Sequence, residues 1–461
     1  MKLPDSPKTP AIIQTIQWIM SGLSYMEDCA KRYGDIFSLR ILNNSEPVVL
    51  VGNPQALEQI LTNDTKEFEA SGELNKSFEL LMGKNSLVTI SGMRHQRQRQ
   101  LMMPAFHGER MRTYGETIRK VTREIMDGWK IGKPFSVSTS THAITLRVIM
   151  QAVFGLYEGD RAEKLEQLLA ILIERAGSPL SVTLRIFPFL RKPLKSLKYW
   201  QEFMEIKQEI DRIIYTEIEE RRQKFDPAKT DILSLLIAAK DEMGEGMTDA
   251  ELHDELMTLL IAGHKTTATG LAWALYWIHQ IPTVREKLLA ELNSLGDNPD
   301  PNTIFKLPYL NAVYCETLRI YPVAMLTLPR VAKVPVSLAG YDIQPGTVLM
   351  GSIYLIHQRE DLYPEAQQFK PERFLERQFS AYEFVPFGGG ARRCIGLAFA
   401  QFEMKIVLAE ILSRLELELV DHREVRPKRN GLLTTAPNRS IKMVVKSERK
   451  VKSRLLGTVP S

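Results

Sequence analysis

One apolar run sets the scale of this molecule. At Thr248 the sequence Thr-Asp-Ala-Glu makes a capping box, and helical spacing then continues without a proline until Pro282. About 32 residues at 1.5 Å rise would span roughly 48 Å, enough to cross a whole domain. A membrane span is excluded because Lys265 splits the apolar run while Asp254 and Glu255 flank it. A chain holding such a helix has to build its body around it.

Helical periodicity dominates residues 54–322, with breaks at Gly177, Pro179, Pro188 and Pro282. Two alternating runs, residues 36–42 and 47–52, flank Asn43, Asn44, Ser45 and Glu46 and predict a hairpin. Residues 334–356 read as further strand, punctuated by Ala339-Gly340 and Pro345-Gly346. The expected fold class is therefore mainly α with small β-sheets. Length alone would allow about three domains at ~150 residues each, but no linker, repeat or low-complexity stretch divides the 461 residues. Residues 1–461 read as a single large domain, with 1–32 as an N-terminal lead segment and 446–461 as a basic C-terminal tail.

The net charge of +5 is unevenly placed: residues 422–461 carry eleven Lys/Arg against Glu424 and Glu448, a surplus of +9 that leaves −4 for the rest. A solvated tail accounts for this, with an acidic protein or lipid head groups as alternative partners. No aromatic residues interleave with the charge, which argues against nucleic acid. The lead segment is too short for a membrane span and lacks the features of a secretory signal. Three cysteines, Cys29, Cys315 and Cys394, are too few for a disulfide framework and fit a reducing compartment. With no Cys/His cluster near Cys394, a structural zinc site is excluded.

Chemistry concentrates around that last cysteine. Phe387, Gly388, Gly389, Gly390, Ala391, Arg392 and Arg393 lead into Cys394, and Ile395, Phe399, Phe402, Ile406 and Ala409 follow at helical spacing. A helix start favours negative sulfur, so a lowered thiol pKa is expected. Consecutive glycines allow a sharp turn with N–H groups aimed at the sulfur. Gly396 leaves room for a flat, bulky body, and Arg392 offers a cationic fork for a carboxylate beside it. A buried structural cysteine is the alternative for any lone residue of this kind. In the long helix, Gly263 removes side-chain bulk and Thr266 stands one turn from Ala262, whose carbonyl it can engage to open a groove. Packing alone would also explain those residues.

Phe387, Gly390, Arg392, Cys394 and Gly396 resemble the FxxGxRxCxG haem-binding signature of the cytochrome P450 family. The resemblance implies haem b with Cys394 as the axial thiolate, Phe387 packed near the sulfur and Arg392 on a propionate. Ala262, Gly263 and Thr266 resemble the family's AGxDT or AGxET oxygen-binding segment, with Lys265 standing where an acid is usual. Lys265 then either points away into an ion pair, shuttles protons itself as a desolvated lysine, or weakens the coupling of reductant to product. Glu316 and Arg319, followed by Pro371-Glu372-Arg373-Phe374, resemble the ExxR and PERF segments, which implies a buried structural network of Glu316, Arg319 and Arg373. His95 and Arg99 resemble the HxxxR pair that binds propionate, and Arg330 resembles a further propionate arginine.

The resemblance covers about residues 33–445 with its motifs in family order. It implies a monooxygenase that takes O2 and two electrons and inserts one oxygen atom into a C–H or C=C bond. Electrons would come from a separate ferredoxin or flavodoxin with its reductase, docked at Arg94, Arg97, Arg393 and Lys405. A soluble, monomeric chain of bacterial or cyanobacterial type is expected, cytoplasmic or peripheral to a membrane. Apolar residues in 179–190 and 323–328 are candidate pocket lining or simple core. A long-chain fatty acid is the first expected substrate and a terpenoid the second. A peroxide-using or rearranging haem-thiolate enzyme, and a non-catalytic haem sensor, are the rival functions.

Overall fold

The structure is a computed structural model that describes residues 4–41, 47–106, 110–155, 159–178, 181, 198–296, 298–431 and 433–449. At its centre lies the helix Asp249–Gln280, which starts at the Thr248 capping box as the sequence predicts. Unlike a surface helix it is buried on nearly all sides, from Leu252 through Trp273 to Ile278. The helices Val137–Phe154 and Leu397–Arg414 pack against it, and Arg110–Met126 packs against both of them, as a bundle. Glu410 ties two of these together, accepting hydrogen bonds from Arg119 Nε at 3.2 Å and Arg123 Nε at 2.6 Å.

Sheets flank this bundle. The largest runs in the order Ile36–Leu39, Val48–Val51, Val348–Gly351, Arg330–Ala332, Phe68–Glu69. Ile36–Leu39 and Val48–Val51 pair antiparallel as the expected hairpin, whose turn lies outside the described residues. Val336–Leu338 pairs with Tyr341–Ile343 through Ala339 and Gly340, at φ +47° and +83°, the double left-handed turn that matches strand twist. The expected strand run to residue 356 is corrected at its end, where Ser352 accepts from Leu355 N–H and caps a helical turn, Ile353–His357.

Residues from both ends join the body. Helix Ala11–Tyr33 buries Trp18, Met26 and Cys29 in a cluster with Phe37, Leu39, Met325 and Tyr354. Strand Lys442–Glu448 lies between Pro134–Ser136 and Leu415–Leu419, so the stretch read as a tail from 446 begins within a sheet. Among the described residues no helix is long and apolar enough to cross a membrane, and the three cysteines are free thiols.

Candidate functional site

The cysteine loop is closed on itself. Cys394 N–H donates to the Phe387 carbonyl at 3.0 Å and Arg393 N–H to the Gly390 carbonyl at 3.1 Å. Gly388 and Gly390 take φ of +64° and +62°, the left-handed region that glycine enters at least cost. A short 3₁₀ turn, Gly390–Arg392, precedes the cysteine, and helix Leu397–Arg414 begins three residues after it with Gly396 as its N-cap. Gly396 supplies the N–H that reaches the sulfur, in place of the glycines expected to do so. The expected lowering of the thiol pKa is also corrected. Burial pushes Cys394 up, outweighing the Gly396 hydrogen bond and the charges of Arg99 and Arg393.

Cys394 is nevertheless accessible. Ala262 likewise keeps accessible surface between Leu260, fully buried, and His264, 3 % exposed. The central helix and the cysteine helix touch at Gly270, where a Cβ would come 2.9 Å from Met404 Cε. Ala262 on the central helix, and Cys394 in the loop before the other, both keep accessible surface. A Cβ at Gly396 would meet nothing within 4 Å, so the space beside the end of the loop is open.

Thr266 Oγ1 donates to the Ala262 carbonyl at 2.6 Å, the expected contact, while the helix stays continuous. Gly263 serves a different neighbour, since a Cβ there would lie 3.3 Å from Ile149 Cδ1 on helix Val137–Phe154. Lys265 Nζ donates to Asn430 Oδ1 at 3.3 Å and lies near Gly177, at the end of helix Asp160–Ala176. Sequence reasoning missed the pair beside it: His142 Nδ1 and His264 Nε2 are 3.1 Å apart, and Thr145 Oγ1 stands 3.0 Å from His264 Nδ1. Burial drives these histidines down to about 4 and about 3, with Lys265 adding to the shift in both.

Four expected carboxylate-binding residues gather at one edge. His95, 4 % exposed, is driven down to about 3 by burial first and then by the charges of Arg392, Arg99 and Arg330. Neither the His95 ring nor the Arg99 guanidinium has a hydrogen-bond partner among the described residues. Arg392 is held by main-chain carbonyls of Ala70, Leu87 and Ile90. Arg330 is engaged by Asp64, with Nη2 at 3.0 Å and Nε at 3.2 Å from Oδ2. Of these three guanidiniums only Arg330 is paired directly with a carboxylate among the described residues, Glu69 acting on Arg392 at longer range, and the surplus of positive charge suits an anionic group.

Behind the loop, Arg319 Nε and Nη2 donate to the two Glu316 oxygens at 2.7 and 2.8 Å, and Arg373 Nε donates to Oε1 at 3.2 Å. Arg319 Nη1 continues to the His357 carbonyl at 2.9 Å. His357 Nε2 accepts Val385 N–H at 3.0 Å, two residues before the loop, and burial holds this ring neutral with its pKa down to about 3. His357 had no motif to mark it. Its role depends on a carbonyl and one ring nitrogen meeting distant segments.

Among the residues expected to dock a donor, Lys405 is corrected. It is 2 % exposed, donates to the Phe305 carbonyl at 3.0 Å and sits 4.3 Å from that residue's ring centroid. Arg97 is braced by Asp241 at 2.5 Å, whereas Arg94 and Arg393 are exposed. Of the expected pocket residues 179–190 only Ser181 is described; in 323–328, Met325, Leu326 and Thr327 are core.

An accessible thiol in a rigid loop, open space over Gly396 and an under-neutralised cationic edge together fit a flat, metal-bearing dicarboxylate such as haem. The comparisons agree. The family model Cytochrome P450 matches residues 4–443. The chain is 34% identical over 461 residues to putative cytochrome P450 135B1 of Mycobacterium tuberculosis, covering 99% of this chain and 94% of that one. It is 30% identical over 421 residues to cyclooctatin synthase of Streptomyces melanosporofaciens, covering 89% and 88%. Among solved structures, the retinoic acid-bound cyanobacterial CYP120A1 is similar at TM-score 0.83 and 22% identity, over 97% of this chain and 100% of that one.

Proposed function

The chain belongs to the cytochrome P450 family of haem-thiolate monooxygenases, and on that premise we propose that it oxygenates a bulky, hydrophobic terpenoid with electrons from a separate ferredoxin or flavodoxin. When bound, haem supplies the oxygen chemistry, bringing O2 and two electrons to bear on a C–H or C=C bond. Cys394 is the iron's thiolate ligand. Arg99, His95, Arg392 and Arg330 would hold its carboxylates. Thr266 presents a hydroxyl beside the accessible Ala262 surface, where it can hold and pass a proton. Lys265 is turned to Asn430.

The observation that supports the reading is the accessible Cys394 sulfur in its closed loop, within reach of the charges of Arg99 and Arg393. The terpenoid assignment is supported by cyclooctatin synthase among the relatives. Donor docking rests on the exposed Arg94 and Arg393, which leave an acidic protein as the complementary partner.

A reduced carbon monoxide difference spectrum tests the thiolate, and the strongly red-shifted band is expected. Absorbance titrations with terpenoids and with long-chain fatty acids then test the substrate. Tighter spectral binding of fatty acids would replace the terpenoid assignment, and turnover with peroxide but none with ferredoxin and reductase would remove the donor.

A further inference from the structure

His253 stands on the central helix, nine residues before Ala262, is 4 % exposed, and no motif marks it. Its Nδ1 lies 2.9 Å from Asp254 Oδ1 on the same helix, and its Nε2 lies 3.0 Å from Asp211 Oδ1 on helix Lys198–Gln223. Carboxylate oxygens accept and do not donate, so both ring nitrogens carry a proton and the ring is an imidazolium. Tyr215 stacks on it with ring centroids 4.4 Å apart, a contact that suits a cation. Burial opposes the charge, but Asp211 and Asp254 outweigh it and raise the ring above its ordinary 6.5. From helix Lys198–Gln223, Lys207 Nζ donates to Asp211 Oδ2 at 2.7 Å. From the loop on the other side, Asn85 donates through its N–H and Nδ2 to Asp254 Oδ2, both at 2.9 Å, while Glu79 and Lys84 are exposed. On the central helix itself Asp249 pairs with Arg222, Glu251 with Arg97, and burial pushes Glu255 up toward its neutral form.

We propose that His253 is a charged bolt that fastens helix Lys198–Gln223 to the central helix and opens when its proton leaves at alkaline pH. The inference is independent of the substrate assigned above. While the ring is charged, two cations, His253 and Lys207, balance two carboxylates, Asp211 and Asp254. Loss of the proton leaves a surplus negative charge, and one aspartate then faces a ring lone pair in a partly buried place. Asp211 is the one able to leave: its side chain is 25 % exposed and still held by Lys207, whereas Asp254 is 9 % exposed and fixed by Asn85. The bolt is complete below 6.5 and is lost as pH rises through the higher folded value. Helix Lys198–Gln223 packs on helix Asp160–Ala176, beyond whose end a Cβ on Gly177 would come 2.9 Å from Lys265 Nζ. The two helices thus meet the central helix on either side of Ala262, at His253 and at Lys265, and opening the bolt widens access to the stretch between.

Hydrogen exchange of the haem-loaded protein, read by mass spectrometry at about pH 6 and about pH 9 and corrected for the intrinsic rate, tests the bolt. Peptides from Lys198–Gln223 should lose protection severalfold at the higher pH, while those from Val137–Phe154 keep theirs. His95, His142, His264, His279 and His357 are held below 6.5 and titrate on the other side of that window. Two variants separate the charge from the packing. His253→Gln should give weak protection at both pH values, because it has no proton to lose. Asp211→Asn should give strong protection at both, because its amide accepts from a charged ring and donates to a neutral one. Equal protection of the parent at the two pH values overturns the proposal, and so does a step that survives in either variant. Should His253→Gln fail to fold, nitrogen NMR of the parent decides, with the ring assigned by its shift in Asp211→Asn. Two protonated nitrogens near pH 6 bear the proposal out, and a single N–H there overturns it.

Discussion

Replacing Glu316 by glutamine measures what the buried charge cluster contributes. Its oxygens accept Arg319 at 2.7 and 2.8 Å, Arg373 at 3.2 Å and Lys370 N–H at 2.8 Å, and both Glu316 and Arg319 are fully buried. Glutamine keeps the shape and one acceptor but turns an NH2 group toward guanidinium donors. Among the described residues, Glu316 is the carboxylate that both arginines share, so the variant leaves two buried cations without a counter-charge. Removing one partner of such a pair costs about 3–5 kcal/mol. Unfolding entropy near ~2.1 cal/mol/K per residue amounts to roughly 1 kcal/mol/K for this chain, so the midpoint should fall by about 3–5 °C. Scanning calorimetry of the haem-loaded protein, with urea unfolding alongside, reads the change. Arg222→Gln is the control. Arg222 also stands three residues after a glutamate, but it pairs with Asp249, with side chains 38 % and 55 % exposed, and its loss should cost less than about 1 kcal/mol. The reasoning fails if Glu316→Gln melts within about 1 °C of the parent, well inside the shift expected for a broken buried pair, or if the control costs as much.

Lys265→Asp should leave haem content unchanged, because Lys265 faces Asn430, and should alter product formed per reductant consumed; an unchanged ratio removes this position from proton delivery. His142, His264, His279 and His357 are held neutral at about 4, 3, 4 and 3, below the ordinary 6.5, by burial. The unfolded chain therefore binds protons first, so their stabilisation is complete above about 6.5 and is lost as pH falls toward 4 and 3. The urea midpoint should drop between pH 7 and 5, and a flat profile would refute the assignment. Gly390→Ala should cost about 1–2 kcal/mol for left-handed backbone beyond the collision of its Cβ with Asp64 Oδ2, read as faster haem loss; normal retention would show that the loop yields. Arg393→Glu should weaken ferredoxin binding and flatten its salt dependence, whereas Lys405→Gln should leave that dependence unchanged; the reverse would move the docking surface.

Features whose causes lie within a few residues were legible in the sequence. The capping box at Thr248 set the start of the central helix, and glycine spacing shaped the cysteine loop, because hydrogen bonds to near neighbours and positive φ are local demands. The order of the motifs placed Glu316, Arg319 and Arg373 behind that loop, which spacing by itself could not distinguish from Glu219 and Arg222. Long-range approach decided the rest. Asp64 and Arg330 are 266 residues apart, and their contact exists because two short strands, Phe68–Glu69 and Arg330–Ala332, pair. Lys405 belongs to the core because its helix turns that face inward under Phe305, and Lys265 is drawn to Asn430, 165 residues further along the chain. A lone charged residue carries no local signal of its partner. Sequence alone therefore determined the helix, the loop and the thiolate, while tertiary packing decided which charges serve the site and which brace it.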